Sequence, residues 1–176
     1  FGQAAYIRSW QVSKETRERA ARKYRPKRVA LLLVAEAPPA AEDQYFYFED
    51  VPKQDLLFRS VIKAIFGQIP AREDKPIWLK ELKKSGVYLI DASKEPVRGK
   101  TALKPLIPDL IRRCKRLAPR CVLLLKPGVF DAAYPGLLAA GVPVIDARIP
   151  SPAAGNQQRF QKEFRKALAK CSRMAA

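Results

Sequence analysis

Residues 28–39, RVALLLVAEAPP, decide the fold that this sequence predicts. Within this stretch, residues 29–34 form an unbroken apolar run that is too short to span a bilayer. Such a run is typical of a strand buried on both faces of a parallel sheet. It is soon followed by Glu36, and open α/β sheets bind ligands beyond the carboxyl ends of their strands. We therefore expect Glu36 to lie at a ligand site, although a solvated loop acid would produce the same local pattern.

Three further apolar segments resemble this run, at residues 87–90, 121–125 and 142–145. The spacing of apolar residues predicts helices between and around these strands, the first of them with Ser13 as its N-cap. Because strands and helices alternate, we expect one α/β domain over residues 1–176, with a three-layer α/β/α architecture and a four-stranded parallel sheet. The predicted helices span residues 13–24, 53–66, 77–85, 102–117, 129–140 and 157–170.

The chain is strongly basic, with 34 Lys and Arg residues against 17 acidic residues and a net charge of +17. Such an excess indicates a polyanionic partner, with nucleic acid favoured over an anionic membrane. The basic residues are spread along the chain, which favours a folded basic surface over a disordered arm. We find no signal peptide and no apolar run long enough for a membrane span. We therefore expect a cytoplasmic, nucleoid-associated monomer that binds DNA and has no membrane segment.

The absence of histidine restricts the possible chemistry. It removes the commonest general base, the Ser-His-Asp triad and most metal sites. Cys114, Cys121 and Cys171 lack CxxC spacing, so we expect no metal and reduced, structural thiols. The sequence has neither a GxGxxG nor a Walker motif, so no cofactor is expected. Catalysis would have to use a carboxylate, a hydroxyl, an amide, Lys or Arg.

Residues 45–48, YFYF, form a run of four aromatic side chains. Such a run has two interpretations. It can be a strand or turn that packs in the core. Alternatively, Phe46 or Phe48 can supply a flat wall on which a nucleobase stacks.

Three motifs in this order resemble the uracil-DNA glycosylase superfamily. Residues 35–39, AEAPP, are similar to the loop that activates water, and residues 149–156, IPSPAAGN, are similar to the loop that enters the minor groove. Residues 87–91, VYLID, resemble the strand whose last residue, usually Asn, reads the pyrimidine edge. The resemblance covers most of residues 28–170. It implies a glycosylase fold and a base-excision repair hydrolase that cleaves the N-glycosidic bond of a damaged or deaminated base.

The resemblance also implies roles for the matching residues. Glu36 would be catalytic, orienting a water molecule and stabilising positive charge on the sugar. The base flipped out of the DNA would contact Ala35, Ala37, Phe46, Phe48 and Asp91. The expected DNA-binding residues are Lys94, Lys126, Arg148, Ile149, Pro150, Ser151, Pro152, Gly155, Asn156 and Arg159.

Asp91 and Ile149 depart from the family pattern, which usually has Asn and His at these positions. An ionised Asp accepts hydrogen bonds but donates none, so it would face O4 of uracil without a donor. Because a mispaired polar group costs about 1–3 kcal/mol, Asp91 predicts weak or absent uracil excision and leaves an amine-bearing or damaged base open. Ile149 cannot stabilise the departing base, and it would either wedge between base pairs or only pack.

Two other functions remain open on the sequence alone. The chain can be a non-catalytic DNA-binding module on the glycosylase fold, which retains the basic surface and the loops. It can also be an unrelated small α/β hydrolase or an RNA-binding protein, because fold alone does not determine function.

Overall fold

The computed structural model describes residues 2–97, 102–153 and 155–174, and side chains from residue 13 onward within these ranges. Ala154, in the second loop motif, lies outside the described residues. Short 3-10 turns, Arg72–Asp74 and Lys104–Leu106, precede the third and fourth helices. The helices are α1 (Gly2–Lys23), α2 (Leu56–Phe66), α3 (Lys75–Lys84), α4 (Ile107–Leu117), α5 (Pro127–Ala139) and α6 (Gln157–Met174). The strands are β1 (Leu31–Ala35), β2 (Val87–Asp91) and β3 (Cys121–Leu124).

Within the described residues, the strands form one parallel sheet in the order β2-β1-β3. Leu31 of the central strand pairs with Val87 on one side and with Cys121 on the other. Helices lie on both sides of the sheet, which confirms the predicted α/β class. All five residues of β1 are buried, because helices cover both faces of the strand. This burial explains the unbroken apolar run from which the fold was predicted.

The predicted fourth strand at residues 142–145 is absent from the described sheet, so this prediction was wrong. Among the described residues, the segment lies beside β3 but pairs with it through a single isolated bridge, between Val122 and Val144. Pro143 has no backbone N–H to donate. The N–H of Val144 instead bonds to the carbonyl oxygen of Val142 at 2.7 Å. This local turn interrupts the ladder that a continuous strand would need.

The ends of α1 and α2 show where local sequence signals held and where they failed. The side chain of Asp55 accepts a hydrogen bond from the N–H of Phe58 at 3.0 Å, and so caps the start of α2. Gly67 ends α2 in the left-handed conformation, which glycine adopts without strain. The predicted N-cap of the first helix was wrong, because α1 begins at Gly2 and Ser13 lies inside it.

The cysteines differ from the prediction of three reduced thiols. Cys121 at the start of β3 forms a disulfide with Cys171 near the end of α6, with 5.7 Å between the two Cα atoms. Cys114 is buried and free. The prediction failed because the pairing joins residues 50 positions apart, and short-range spacing carries no information about such a contact.

The aromatic run at residues 45–48 packs mainly in the core. Tyr45, Phe46 and Tyr47 are buried, and the ring of Phe46 packs edge-on against Phe58. The Tyr47 hydroxyl accepts a hydrogen bond from the N–H of Leu89 at 2.6 Å and donates one to its carbonyl oxygen at 2.7 Å. Since Leu89 belongs to β2, these two bonds fasten the loop after β1 to the neighbouring strand.

A buried lysine holds the other side of this loop. The ammonium group of Lys75 donates to the carbonyl oxygen of Tyr45 at 2.9 Å and lies 3.5 Å from the Asp55 carboxylate. Burial lowers the pKa of Lys75, and the nearby Asp55 charge opposes that effect. The loop that begins at Glu36 is therefore held on one side by α3 and on the other by β2.

None of the helices in the described ranges combines the length and the apolar character needed to cross a bilayer.

Candidate functional site

Glu36 and Asp91 lie at neighbouring strand ends. Ala35, the last residue of β1, is the register partner of Asp91, the last residue of β2. Glu36 follows Ala35 directly, and its backbone carbonyl accepts a hydrogen bond from the N–H of Ser93 at 2.9 Å. Because the chain passes from β2 across β1 to β3, the strand order reverses between β1 and β3. Open α/β sheets bind ligands at such a point, beyond the carboxyl ends of their strands.

A cleft of about 980 Å³ opens at this position. Its walls come from the loop after β1, the end of β3, the first turn of α2, the start of α6 and helix α1. Six of the residues expected to form the site lie on it, together with Arg17 and Phe160. These six are Ala35, Glu36, Ala37, Lys126, Ser151 and Pro152.

The Glu36 carboxylate contacts the ammonium group of Lys126 across the cleft. The Glu36 side chain is 19% exposed and that of Lys126 is 49% exposed, so the pair lies at the wall of the cleft with access to water. Lys126 follows Leu125, the buried residue directly after β3, and its N–H bonds to the carbonyl oxygen of Ile149 at 3.0 Å. Lys126 has φ of 86° and ψ of 135°, a conformation that favours glycine. The contact holds the carboxylate in a defined position at the end of β1.

Asp91 lines a second, smaller cavity of about 250 Å³, together with Tyr45, Tyr88 and Arg113. Burial raises the pKa of Asp91 to about 7, although the charges of Arg113 and Arg17 oppose that effect. A carboxyl group with this pKa exchanges a proton near neutral pH, so it can accept or donate a hydrogen bond according to conditions. Asp91 is therefore the titrating acid of this cavity.

Arg113 fixes the backbone from which Asp91 projects. Its guanidinium donates to the carbonyl oxygen of Asp91 at 2.7 Å and to that of Ala92 at 2.8 Å. It also bonds to the Asp109 carboxylate at 2.8 Å. These contacts make Arg113 a positioning residue for the end of β2.

The two cavities adjoin, because Arg17 and Pro38 line both of them. Arg17 comes from α1 and is only 7% exposed. Pro38 is the first proline of the AEAPP motif and is also buried. A ligand that occupies the larger cleft can therefore place one edge toward Asp91 while another part of it faces Glu36.

Several expected site residues lie elsewhere. Phe46 and Phe48 line neither of these two cavities, because the aromatic run packs on the core. Ile149 is fully buried. Of the two roles considered for it, it therefore only packs in the core and does not project as a wedge between base pairs. Pro150 is buried as well, and Arg148 pairs in a fork with Asp131 at 3.0 and 2.9 Å.

The remaining expected residues lie on the surface or at a cavity wall. Lys94 is exposed at the wall of the second cavity. Gly155 and Arg159 are exposed around the start of α6, with the partly buried Asn156 between them. The Ser151 hydroxyl accepts from the N–H of Ala153 at 3.4 Å, which shapes the turn at the cleft.

Sequence reasoning missed Arg17, Tyr45 and Phe160 as cavity residues. A signal for Arg17 was present, because Arg17 and Ala21 share one face of α1 and the buried Tyr24 continues their helical spacing just past the end of the helix. A basic residue on an otherwise apolar helix face indicates a buried charge, unlike the exposed basic residues around it. No comparable signal distinguished Phe160 from a core residue.

No protein-family model and no curated protein matches this chain. Among the described residues, no three Cys, Asp or Glu side chains group closely enough to hold a metal ion.

Proposed function

We propose that this protein is a DNA glycosylase that hydrolyses the N-glycosidic bond of a damaged or deaminated base. One observation carries the proposal: Glu36 and Asp91 lie at neighbouring strand ends, in cavities that adjoin through Arg17 and Pro38. The loop containing Ser151 and Pro152 borders the same cleft. This arrangement agrees with the resemblance of the three motifs to the uracil-DNA glycosylase superfamily.

The reaction would divide between the two cavities. A base flipped out of the DNA would present its edge to Asp91, while its sugar would lie in the larger cleft near Glu36. The Glu36 carboxylate would orient a water molecule toward C1′ and stabilise positive charge on the sugar. The water oxygen then bonds to C1′, the electron pair of the C1′–N bond leaves with the base, and the base takes up the proton released by the water.

The charge of the chain supports a DNA partner. With a net charge of +17, the protein favours phosphate-rich partners, and such binding weakens steeply as salt concentration rises. Ser151 and the exposed Arg159 and Lys94 are the residues near the cavities from which phosphate contacts are expected. On this proposal the protein acts as a cytoplasmic, nucleoid-associated monomer in base-excision repair.

The test is base release from single- and double-stranded oligonucleotides carrying uracil, hypoxanthine, xanthine or cytosine, by the native protein and by Glu36→Gln. We expect the native protein to release at least one base, and Glu36→Gln to be slower by roughly 100-fold or more while DNA binding stays unchanged. Glu42→Gln is the matched control, because Glu42 lines the same cleft and is exposed. Equal rates for native protein and Glu36→Gln would refute the catalytic role.

A second candidate is a non-catalytic DNA-binding module on the same fold. Two observations favour it. Ile149 is buried at the position where the family has a hydrogen-bonding residue, and the Glu36 carboxylate is already paired with the ammonium group of Lys126. This candidate predicts salt-dependent DNA binding with no release of any of the four bases by the native protein. Base release that is lost in Glu36→Gln would exclude it.

A further inference from the structure

Arg17 is an anomaly in the buried part of this protein. Its side chain is 7% exposed, and its Nη2 atom has no hydrogen-bond partner among the described residues. A buried hydrogen-bond donor without a partner is costly, and native proteins pair nearly all such groups. An unpaired buried donor at the wall of a cavity therefore indicates a ligand that supplies the missing acceptor.

The position of Arg17 identifies the part of the ligand concerned. Arg17 lines the cleft that contains Glu36 and also the cavity that contains Asp91. Arg17 shares the wall of the smaller cavity with Asp91 and Tyr45, and its charge opposes the rise in the pKa of Asp91 that burial causes. Arg17 offers only hydrogen-bond donors, whereas an ionised Asp91 offers only acceptors. A donor and an acceptor thus face one cavity from two separate elements, α1 and β2.

We infer that Arg17 and Asp91 together bind the edge of a nucleobase on which a ring N–H stands next to a carbonyl group. The Asp91 carboxylate accepts from the ring N–H, and Arg17 donates to the adjacent carbonyl oxygen. A single Asn amide provides both functions in the motif that this strand resembles, whereas here they are divided between two residues. This inference rests on the proposed glycosylase function and names the base that the site accepts.

The inference revises the specificity expected from Asp91 alone. Without Arg17, an ionised Asp91 would leave O4 of uracil without a donor, and uracil excision would be weak. With Arg17 in place, uracil, hypoxanthine and xanthine each match the pair, because each has a ring N–H beside a carbonyl group, as thymine and guanine also do. Cytosine and adenine present an unprotonated ring nitrogen beside an amine, so they place an acceptor against the ionised Asp91 and an amine donor against Arg17.

The test measures binding of 1-methyluracil, 9-methylhypoxanthine and 1-methylcytosine by calorimetry at pH 8, where Asp91 is mostly ionised. The methyl group stands in for the sugar, so the glycosidic nitrogen carries no hydrogen and no bond is cleaved. We expect native protein to bind uracil and hypoxanthine more tightly than cytosine. Arg17→Met keeps an unbranched apolar stem and removes the guanidinium, and we expect it to weaken uracil binding roughly tenfold to a hundredfold with little change for cytosine. Arg19→Met is the matched control, because Arg19 is exposed on the same helix.

A second variant provides a check if Arg17→Met fails to fold. Asp91→Asn restores an amide that both donates and accepts, so we expect it to bind uracil at native strength and to make the Arg17→Met substitution in the same chain much less damaging. Equal affinity of the native protein for uracil and cytosine, or no loss in Arg17→Met, would overturn the inference. Base binding that depends on Arg17, with no base released from any oligonucleotide, would instead overturn the glycosylase proposal alone.

Discussion

Replacing Lys126 separates backbone strain from charge at the candidate active site. Among the described residues, Lys126 and Ala118 are the non-glycine residues with positive φ. Lys126 has φ of 86° and ψ of 135°, where a side chain clashes with its own backbone and glycine does not. A residue held in such a sparsely populated region typically costs about 1–3 kcal/mol. This strain therefore lies at Lys126, whose ammonium group contacts Glu36.

The expected magnitude comes from comparing Lys126→Gly with Lys126→Ala. Both variants lose the Glu36 contact, which is partly exposed and contributes about 0–1 kcal/mol. Only Lys126→Gly relieves the strain, at a cost of roughly 0.5–1 kcal/mol for the greater freedom of glycine in the unfolded chain. We therefore expect Lys126→Gly to have a free energy of unfolding about 1 kcal/mol higher than that of Lys126→Ala.

Urea unfolding followed by circular dichroism measures this difference, and base release measures the role of the ammonium group. On the glycosylase proposal, both variants should release base about tenfold more slowly or worse, because the Glu36 carboxylate loses the group that holds it in place. Lys126→Arg, which keeps a positive charge, is the control for the activity measurement. A Lys126→Gly protein less stable than Lys126→Ala would refute the argument from strain, and full activity in both variants would refute the positioning role.

Three further predictions follow from other contacts. The pKa of Asp91 is raised to about 7, so its contribution to stability is complete below about pH 4 and is lost as pH rises through 7. The unfolding free energy of Asp91→Asn should therefore decrease less between pH 5 and pH 8 than that of the native protein. Cys121→Ser should lower the unfolding free energy by about 4 kcal/mol, because the bond to Cys171 closes a loop of 50 residues. In urea unfolding, a reducing agent should have no further effect on the stability of that variant. Tyr47→Phe should lower it by roughly 2 kcal/mol or more, because two buried backbone groups of Leu89 lose their partner; a change below 0.5 kcal/mol in thermal unfolding would contradict this.

The fold class could be predicted because the strands are buried on both faces. Such burial requires continuous apolar runs, and these runs are visible at residues 31–35, 87–90 and 121–124. The segment at 142–145 has the same apolar character but does not form a strand, since Pro143 and the turn at Val144 interrupt the ladder. Apolar character identifies burial, whereas pairing also depends on backbone donors.

The position of Glu36 beside Asp91 could be expected from sequence, because residues that follow neighbouring parallel strands emerge at one edge of a sheet. The contribution of Arg17 could not, since it depends on how α1 packs across that edge. The Cys121 disulfide was missed for a similar reason, as its partner lies 50 residues away. The aromatic run allowed two interpretations, and only the packing of Phe46 on Phe58 decides between them.

The hydroxyl of Tyr47 has a consequence for how this protein behaves at high concentration. In the described sheet, β2 is an outer strand, and outer strands offer free backbone groups to which another chain can add by strand pairing. Here the outward N–H and carbonyl of Leu89 are already satisfied by one side chain from the same molecule. A strand from another molecule would have to displace the buried Tyr47 side chain before it could hydrogen-bond to Leu89. This edge of the sheet is therefore protected against intermolecular strand pairing.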